Sequence, residues 1–382
     1  MQTFEMRTAI HFGENSLNRL TEIPYQRVLI ITDPYVVESR MIDLITEPLK
    51  KAGKEFDLFF DVVPDAPLDK IAAGVRKFLE YQPEAVVSVG GGSAIDSAKA
   101  IREFALKINP YAHVAMIAVP TTSGTGSEVT SFAVVNDTEH HVKYPLVADS
   151  LTAEEAILDA ELVRSVPPSV TADTGMDVFT HAVESYVSTA HNEFSAALAE
   201  KSIEICGVFL LRAYLDGNDM HARQKMHVAS CLAGLSFNTA GLGITHSMAH
   251  QLGALFHVPH GRANAMLLPH VIEYNSEIDK YSRSQKEYHP SVKRYSTIAH
   301  VLGLSNFNKV MTVRSLVNWI QLMQKEMNIP TTIQELRTIA PEDYFGAIET
   351  MAEAALADAC TATNPKTPTK QEIMKIYAKL WA

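Results

Sequence analysis

The chain has 382 residues, of which 47% are hydrophobic and 20% charged, and its formal net charge at pH 7 is -11. Because domains usually hold roughly 100 to 200 residues, this length predicts two or three domains. The acidic balance argues against nucleic acid and anionic membranes as main partners, since both require clustered lysine and arginine. The 3 cysteines lie far apart without a CxxC pair, which argues against a disulfide framework and fits a reducing compartment.

The sequence carries no evident targeting or membrane signal. The N-terminal segment has no basic stretch followed by an apolar run, and no segment approaches the ~18 uninterrupted apolar residues that span a bilayer. We therefore expect a cytoplasmic protein that acts on a small molecule.

The first part of the chain alternates strand-like and helix-like segments. Continuous apolar runs at residues 27–33, 84–90 and 114–120 are typical of parallel strands that are buried on both faces. Amphipathic stretches at residues 42–53 and 68–81 lie between them. This alternation predicts a Rossmann-like α/β domain with a doubly wound parallel sheet.

The second part of the chain shows helical spacing of its apolar residues, with no further strand-like runs. It should therefore form an all-α domain. Pro167 and Pro168 suggest a boundary, because consecutive prolines continue neither a helix nor a central strand. We predict a dinucleotide-binding domain over 1–166 and a helical metal-binding and catalytic domain over 167–382. The alternative is that the prolines only begin a helix within one domain.

A glycine-rich turn follows the second of the predicted strands, in "SVGGGSAIDSAK". Its glycines would let the backbone approach a ligand closely, and Ser93 with Asp96 would form a capping box on the next helix. The N–H groups at the start of that helix suit a pyrophosphate. A tight turn without a ligand is the alternative.

A second polar turn, "VPTTSGTGSE", follows the next predicted strand, and its Thr121, Thr122 and Thr125 are suited to line a nucleotide. Asp33 ends an earlier strand, where its carboxylate would accept ribose hydroxyls and repel a 2′-phosphate, which favours NAD over NADP. The alternative for Asp33 is a simple turn former. The acid precedes the glycines, which excludes an ordinary GxGxxG enzyme.

Candidate metal ligands recur at a spacing of four residues. Asp177 and His181 in "TGMDVFTHAVESY" would share one helix face, and so would His246 and His250 in "HSMAH". We expect the helix of "HSMAH" to end near Pro259, with His260 in the turn that follows. Such a set suits iron, zinc or manganese, among which the sequence does not choose.

Two other interpretations compete with a catalytic metal site. A zinc protease would need glutamate directly after the first histidine of HxxxH, but that position is Ser247. Each histidine alone is well explained as a hydrogen-bonded helix residue, whereas the group is not. We interpret His257 as a pocket or packing residue.

These motifs resemble the group III, iron-containing alcohol dehydrogenases, which have the dehydroquinate-synthase-like fold. The resemblance runs through "GGGSAIDSAKA", "PTTSGTGSEVT", "KYPL", "AILDAELV", "TADTGMDVFTHAVESYVS", "AGLGITHSMAHQLGALFHVPHGRANAMLLPHV" and "DACTATNPKTPT". "MDVFTHAVESYVS" and "ALAEKS" are most similar to the branch that acts on 1-propanol in propanediol-utilising bacteria. The chain departs from the commonest pattern at "DSLTAEEAILDAEL", and at "VPDAPL", where Asp65 and Ala66 replace an Asn-Pro pair.

The resemblance also implies roles for individual residues. It implies Fe2+, with Zn2+ as an alternative, held by Asp177, His181, His246 and His260. It places His250 near the reacting carbons, where we expect it to relay a proton. The implied NAD contacts are Asp33, Gly91, Gly92, Ser93, Thr121, Thr122, Thr125, Thr130, Lys143 and Leu162.

The implied reaction is the reversible interconversion of a short-chain primary alcohol, such as propanol, and its aldehyde with NAD(H), with the metal as Lewis acid. The alternatives are a metal-dependent lyase or cyclase, a polyol dehydrogenase of the same fold, and a nucleotide-binding sensor without turnover. Family members are commonly dimers or larger, so we expect a homo-oligomer. Packaging in a bacterial microcompartment is compatible with the propanol resemblance, but no sequence signal indicates it.

Overall fold

The structure is a computed structural model that describes residues 3–110, 113–139, 142–280 and 288–382, with the backbone alone for Val142, Lys143 and Asp279. The chain divides into two compact units, Met1–Val166 and Pro167–Ala382.

The first unit is built on a six-stranded sheet in the order β1-β8-β5-β4-β2-β3, in which all neighbours pair in parallel. A separate antiparallel hairpin pairs β6 with β7. The strands are β1 Ala9–Phe12, β2 Arg27–Thr32, β3 Glu55–Phe59, β4 Ala85–Gly90, β5 Ala115–Pro120, β6 Phe132–Asp137, β7 Val142–Val147 and β8 Glu155–Leu158. The helices of this unit are α1 Pro34–Glu38, α2 Asp43–Lys51, α3 Leu68–Tyr81 and α4 Gly92–Ile108.

The central strands are buried on both faces, as their unbroken apolar runs predict. Successive residues of β2 alternate between two core clusters, with Leu29 and Ile31 on one face of the sheet and Val28 and Ile30 on the other. Strands β4 and β5 alternate in the same way. Because neither face of the sheet is solvated, ligands have access chiefly at the strand ends.

The second unit is helical over its described residues. Its helices are α5 Pro168–Val187, α6 Glu193–Leu215, α7 Met220–Ala240, α8 Ile244–Phe256, α9 His260–Ser276, α10 Pro290–Val301, α11 Lys309–Glu326, α12 Ile333–Leu336, α13 Pro341–Ala357 and α14 Lys370–Lys379. One core forms mainly among α5, α6, α7, α10 and α11, and another forms among α8, α9, α13 and α14. Short 3-10 helices include Ser127–Val129, Ala160–Val163 and Ala359–Thr363.

The apolar helices of this unit also bear on membrane insertion. No single helix in the described ranges is long and apolar enough to cross a membrane. Helices α7 and α8 meet that length and composition only as a pair, and the pair is bent by 107°.

The predicted fold class is confirmed, and two local predictions are wrong. Helix α4 begins two residues earlier than a Ser93 cap requires, with Gly91 at the N-cap position and no side-chain cap. Ser93 instead accepts the backbone N–H of Asp65, while Asp96 accepts the hydroxyl of Ser127. Likewise His260 does not lie in a turn, because Pro259 is the N-cap of α9 and His260 is its first residue.

Candidate active site

The two glycine- and threonine-rich turns lie side by side in the first unit. They follow β4 and β5, which are neighbours in parallel. A Cβ at Gly91 would lie 3.3 Å from the hydroxyl of Thr122, and one at Gly92 would lie 2.7 Å from Cγ2 of Thr125. A side chain at Gly92 would force Thr125 to move and one at Gly91 would crowd Thr122, so the glycines let the two turns lie this close together.

Asp33 lies at the same edge of the sheet, at the end of β2. One carboxylate oxygen, Oδ1, accepts the backbone N–H of Val36 at 3.1 Å and so caps α1. The other, Oδ2, lies 3.2 Å from where a Cβ on Gly90 would be. Asp33 therefore caps a helix through one oxygen, while its second oxygen lies beside the glycine-rich turn. Its contact with the ribose stays a prediction.

The remaining residues that were predicted to contact NAD differ in their exposure and in their contacts. Thr121 is buried at the start of its turn, and Thr125 is exposed. Thr130 is buried, and its hydroxyl lies 3.1 Å from Nζ of Lys99. Leu162 is fully buried in a core cluster of the first unit, and the side chain of Lys143 lies outside the described residues.

The buried amine of Lys99, next to the second turn, was not predicted from the sequence. Nζ of Lys99 donates to the carbonyl oxygens of Thr130 at 2.8 Å and Phe132 at 2.7 Å. Burial lowers the pKa of Lys99 to about 8, although the nearby carboxylates of Asp96 and Glu128 raise it. Through its two hydrogen bonds to backbone carbonyls, the Lys99 amine fixes the backbone that follows the second turn.

In the second unit, the four predicted metal ligands converge. One ligand atom each from Asp177, His181, His246 and His260 lies within 4.8 Å of the others. Nε2 of His246 is 3.8 Å and Nε2 of His260 is 3.5 Å from Oδ1 of Asp177. The rings of His181 and His246 stack with their centroids 4.5 Å apart.

Close packing of α9 on α5 produces this convergence. A Cβ at Gly261 would lie 2.1 Å from the carbonyl oxygen of Asp173 and 3.2 Å from Cβ of Asp177. Glycine therefore lets the start of α9 approach the backbone of α5, which carries His260 to Asp177. Asn264, one turn further along α9, donates Nδ2 to Oδ1 of Asp177 at 2.7 Å.

The protonation states of His246 and Asp177 suit a cation. Burial, His181 and His260 hold the pKa of His246 well below its usual value, so this imidazole is neutral. Burial alone would raise the pKa of Asp177, but the adjacent histidines and Asn264 lower it, so the carboxylate is ionised. Neutral imidazoles and an ionised carboxylate are the forms that bind a divalent metal.

An unpartnered ring nitrogen tests whether the group fits a metal ion. His246 is 1% exposed, and within the described residues its Nε2 has no hydrogen-bond partner. Leaving a buried polar atom unpaired costs roughly 1 to 3 kcal/mol. A divalent ion on Nε2 would remove that cost, so the residues fit the metal that the sequence implied.

Glu184 fixes the other nitrogen of the same ring. Its Oε2 lies 2.6 Å from Nδ1 of His246, and its two oxygens accept the N–H groups of Gly243 at 3.0 Å and Thr245 at 2.7 Å. The carboxylate thereby places a proton on Nδ1 and leaves the lone pair on Nε2, as outer carboxylates do for metal-binding histidines.

His250 and His257 do not belong to this group of four. Nδ1 of His250 lies 2.7 Å from Oδ2 of Asp358, and the His250 ring stacks on that of His260 at 5.3 Å between centroids. His257 is exposed rather than packed, and it ends α8 in a left-handed conformation with φ 55°. The histidine-rich segment thus has three separate structural roles.

Comparison with known protein families agrees with this geometry. The N-terminal family model described as iron-containing alcohol dehydrogenase matches residues 7–160, and the C-terminal model of the iron-containing alcohol dehydrogenase family matches residues 171–381. Among curated proteins, the chain is 38% identical to 1-propanol dehydrogenase PduQ of Citrobacter freundii over the full length of both. It is 36% identical to an NADPH-dependent butanol dehydrogenase of Clostridium saccharobutylicum, over 99% of this chain and 97% of that protein.

Solved structures give the same result. The chain superposes on a 1,3-propanediol oxidoreductase with a TM-score of 0.89 and 30% identity, over 100% of both chains. It superposes on sulfoacetaldehyde reductase from Bifidobacterium kashiwanohense in complex with NAD+ with a TM-score of 0.86 and 25% identity, over 100% of this chain and 98% of that one. Fold and matches together define an oxidoreductase of the alcohol dehydrogenase class. The chain belongs to the iron-containing alcohol dehydrogenase family.

Proposed function

We propose that the enzyme interconverts a short-chain primary alcohol, such as 1-propanol, and its aldehyde, with NAD(H) as the hydride carrier and Fe2+ as the metal. The observation that carries this proposal is the convergence of Asp177, His181, His246 and His260 with an unpartnered, buried Nε2 on His246. The similarity to propanol and butanol dehydrogenases supports the substrate class.

In this proposal the four converging residues hold the metal, and the first unit binds the dinucleotide. When bound, Fe2+ would supply a Lewis acid for the oxygen of the substrate, and NAD+ would supply the acceptor for a hydride from the carbinol carbon. The acidic Asp33 beside the glycine-rich turn supports NAD rather than NADP, and the NAD+ complex of the related reductase supports the same carrier. Asp177 contributes one negative charge, which leaves a strongly polarising site.

The side chain of His250 is 41% exposed, in contrast to the buried His246. It therefore has a route to solvent that His246 lacks. We propose that His250 accepts the proton that the alcohol hydroxyl loses. A group that relays protons from the substrate to solvent must have access to both the substrate and solvent.

We further propose that the enzyme works in the cytoplasm as a homo-oligomer. Strand β1 lies at one edge of the sheet, and its Phe12 is 66% exposed. An exposed strand edge is a common pairing surface between copies of one chain. Light scattering during size-exclusion chromatography measures the oligomer directly.

The function is tested with protein that has been loaded anaerobically with Fe2+ and mixed with NAD+ and a panel of alcohols. We expect the NADH absorbance band to grow with 1-propanol and 1-butanol, and to decay when propionaldehyde is added to NADH. Faster turnover of glycerol than of propanol would indicate a polyol dehydrogenase. NAD+ binding without any NADH formation would indicate a lyase, a cyclase or a sensor.

A further inference from the structure

A second carboxylate contacts a histidine beside the proposed metal site. Oδ2 of Asp358 lies 2.7 Å from Nδ1 of His250, and the Asp358 side chain is 17% exposed. Asp358 follows α13, and 108 residues separate it from its partner.

The other oxygen of Asp358 has a fixed partner. Oδ1 accepts the backbone N–H of Cys360 at 2.9 Å, which makes Asp358 the cap of the 3-10 helix Ala359–Thr363. Burial would raise the pKa of Asp358, but the hydrogen bonds from His250 and Cys360 lower it to about 2. The carboxylate is therefore ionised at neutral pH and can only accept hydrogen bonds.

An ionised carboxylate on Nδ1 determines where the His250 proton lies. The neutral imidazole has one N–H and one lone pair, so a proton on Nδ1 leaves the lone pair on Nε2. The ring that carries this lone pair stacks on His260, one of the proposed metal ligands.

We propose that Asp358 is a positioning residue, which holds the proton of His250 on Nδ1 so that Nε2 accepts the proton of the alcohol. This inference rests on the proposed function. In the oxidation, the O–H bond of the alcohol breaks and an N–H bond forms at Nε2, while a hydride passes from carbon to NAD+ and a carbonyl forms. His250 then releases a proton to solvent, and the carboxylate of Asp358 stabilises the intervening imidazolium.

The fixed partner of Oδ1 makes the effect of asparagine at position 358 specific. The N–H of Cys360 still needs an acceptor, so the amide oxygen of Asp358→Asn must remain at the Oδ1 position. Its NH2 group then faces Nδ1 of His250, which must become the acceptor, and the His250 proton moves to Nε2. Serine also caps a helix well, but its side chain is too short to reach His250. Asp358→Ser therefore imposes neither tautomer on the His250 imidazole.

The order of these variants separates positioning from structural support. We expect kcat to fall by about 100-fold or more in Asp358→Asn and by less in Asp358→Ser, with KM and iron content unchanged in both. A purely structural role predicts the reverse order, because asparagine matches aspartate more closely in size. Asp219→Asn is the matched control: Asp219 also caps a helix with one oxygen and pairs with a cation, Arg212, through the other.

A double-mutant cycle completes the test. Because Asp358 acts through His250, Asp358→Asn should not lower kcat further in a His250→Ala enzyme. The proposal is overturned by an Asp358→Asn enzyme with wild-type kcat, by an equal loss in both backgrounds, or by loss of iron. A wild-type enzyme that forms no NADH overturns the proposed function and this inference with it, whereas the preceding results overturn the inference alone.

Discussion

The carboxylate of Glu184 lies 2.6 Å from Nδ1 of His246 and also accepts backbone N–H groups at the beginning of α8. One buried side chain thus orients the helix and the imidazole that the helix carries. These partners of Glu184 are all donors, so both of its oxygens act as acceptors. This arrangement leads to two predictions about metal affinity that involve no metal ligand.

Glu184→Gln should weaken iron binding by about 10- to 100-fold, because outer-shell partners of metal-binding histidines usually have effects of that size. Glutamine has one carbonyl oxygen, so its NH2 group must face a donor. Competition with a chelator measures the affinity, and the exposed Glu326→Gln is the control. Unchanged affinity in Glu184→Gln would show that His246 does not need this carboxylate.

Gly243→Ala should also weaken iron binding, by about tenfold. The added Cβ would lie 2.8 Å from Oε1 of Glu184 and 2.9 Å from Oδ1 of Asn364, so the carboxylate must move. Gly253→Ala, within the helix that Gly243 precedes, is the matched control, because its Cβ would meet only the carbonyl of Val258 at 3.5 Å. Equal affinities in the two variants would contradict the packing argument.

Asp33→Ser should raise the ratio of kcat/KM for NADP to that for NAD by about tenfold, or about 1.4 kcal/mol. Serine still caps α1, so the variant removes the negative charge that repels a 2′-phosphate without removing the cap. Steady-state kinetics with both coenzymes measures the ratio, and Asp69→Ser in α3 is the control. An unchanged preference would exclude the ribose role of Asp33.

Glu372→Gln should destabilise the protein by only about 1 kcal/mol at pH 7, because solvent screens the interactions of this partly exposed side chain. Burial opposes ionisation, but hydrogen bonds from Thr369 and Lys366 lower the pKa of Glu372 from 4.5 to about 2. A carboxylate whose pKa is lower in the folded than in the unfolded protein stabilises the fold fully at pH values above the unfolded pKa. This stabilisation is lost as the pH falls from about 4.5 towards 2. The melting-temperature difference from wild type should therefore be smaller at pH 4 than at pH 7. A constant difference would assign the effect to packing.

The sequence was sufficient where a signal is local. Unbroken apolar runs located β2, β4 and β5 because strands buried on both faces need apolar residues throughout. Asp177 and His181 were found because a helix repeats its face after four residues. Glu184 lies three residues beyond His181 on that same face, so the spacing could have indicated it.

Other features depend on contacts that no local pattern encodes. The predicted capping box at Ser93 failed because Ser127, in a separate turn, uses the carboxylate of Asp96. Asp358 meets His250 only through the packing of α8 near the end of α13. His257 shares a segment with two proposed ligands, yet the left-handed end of α8 directs it to solvent. Chain spacing does not determine these arrangements.

The proposed metal site is tested most directly by measuring iron per chain and NADH formation from 1-propanol on the same samples of His246→Ala and His257→Asn. The two histidines lie in one segment, and asparagine tolerates the left-handed backbone at position 257. We predict that His246→Ala loses both iron and activity, while His257→Asn keeps both. A His246→Ala enzyme with one iron per chain and wild-type activity would contradict the site.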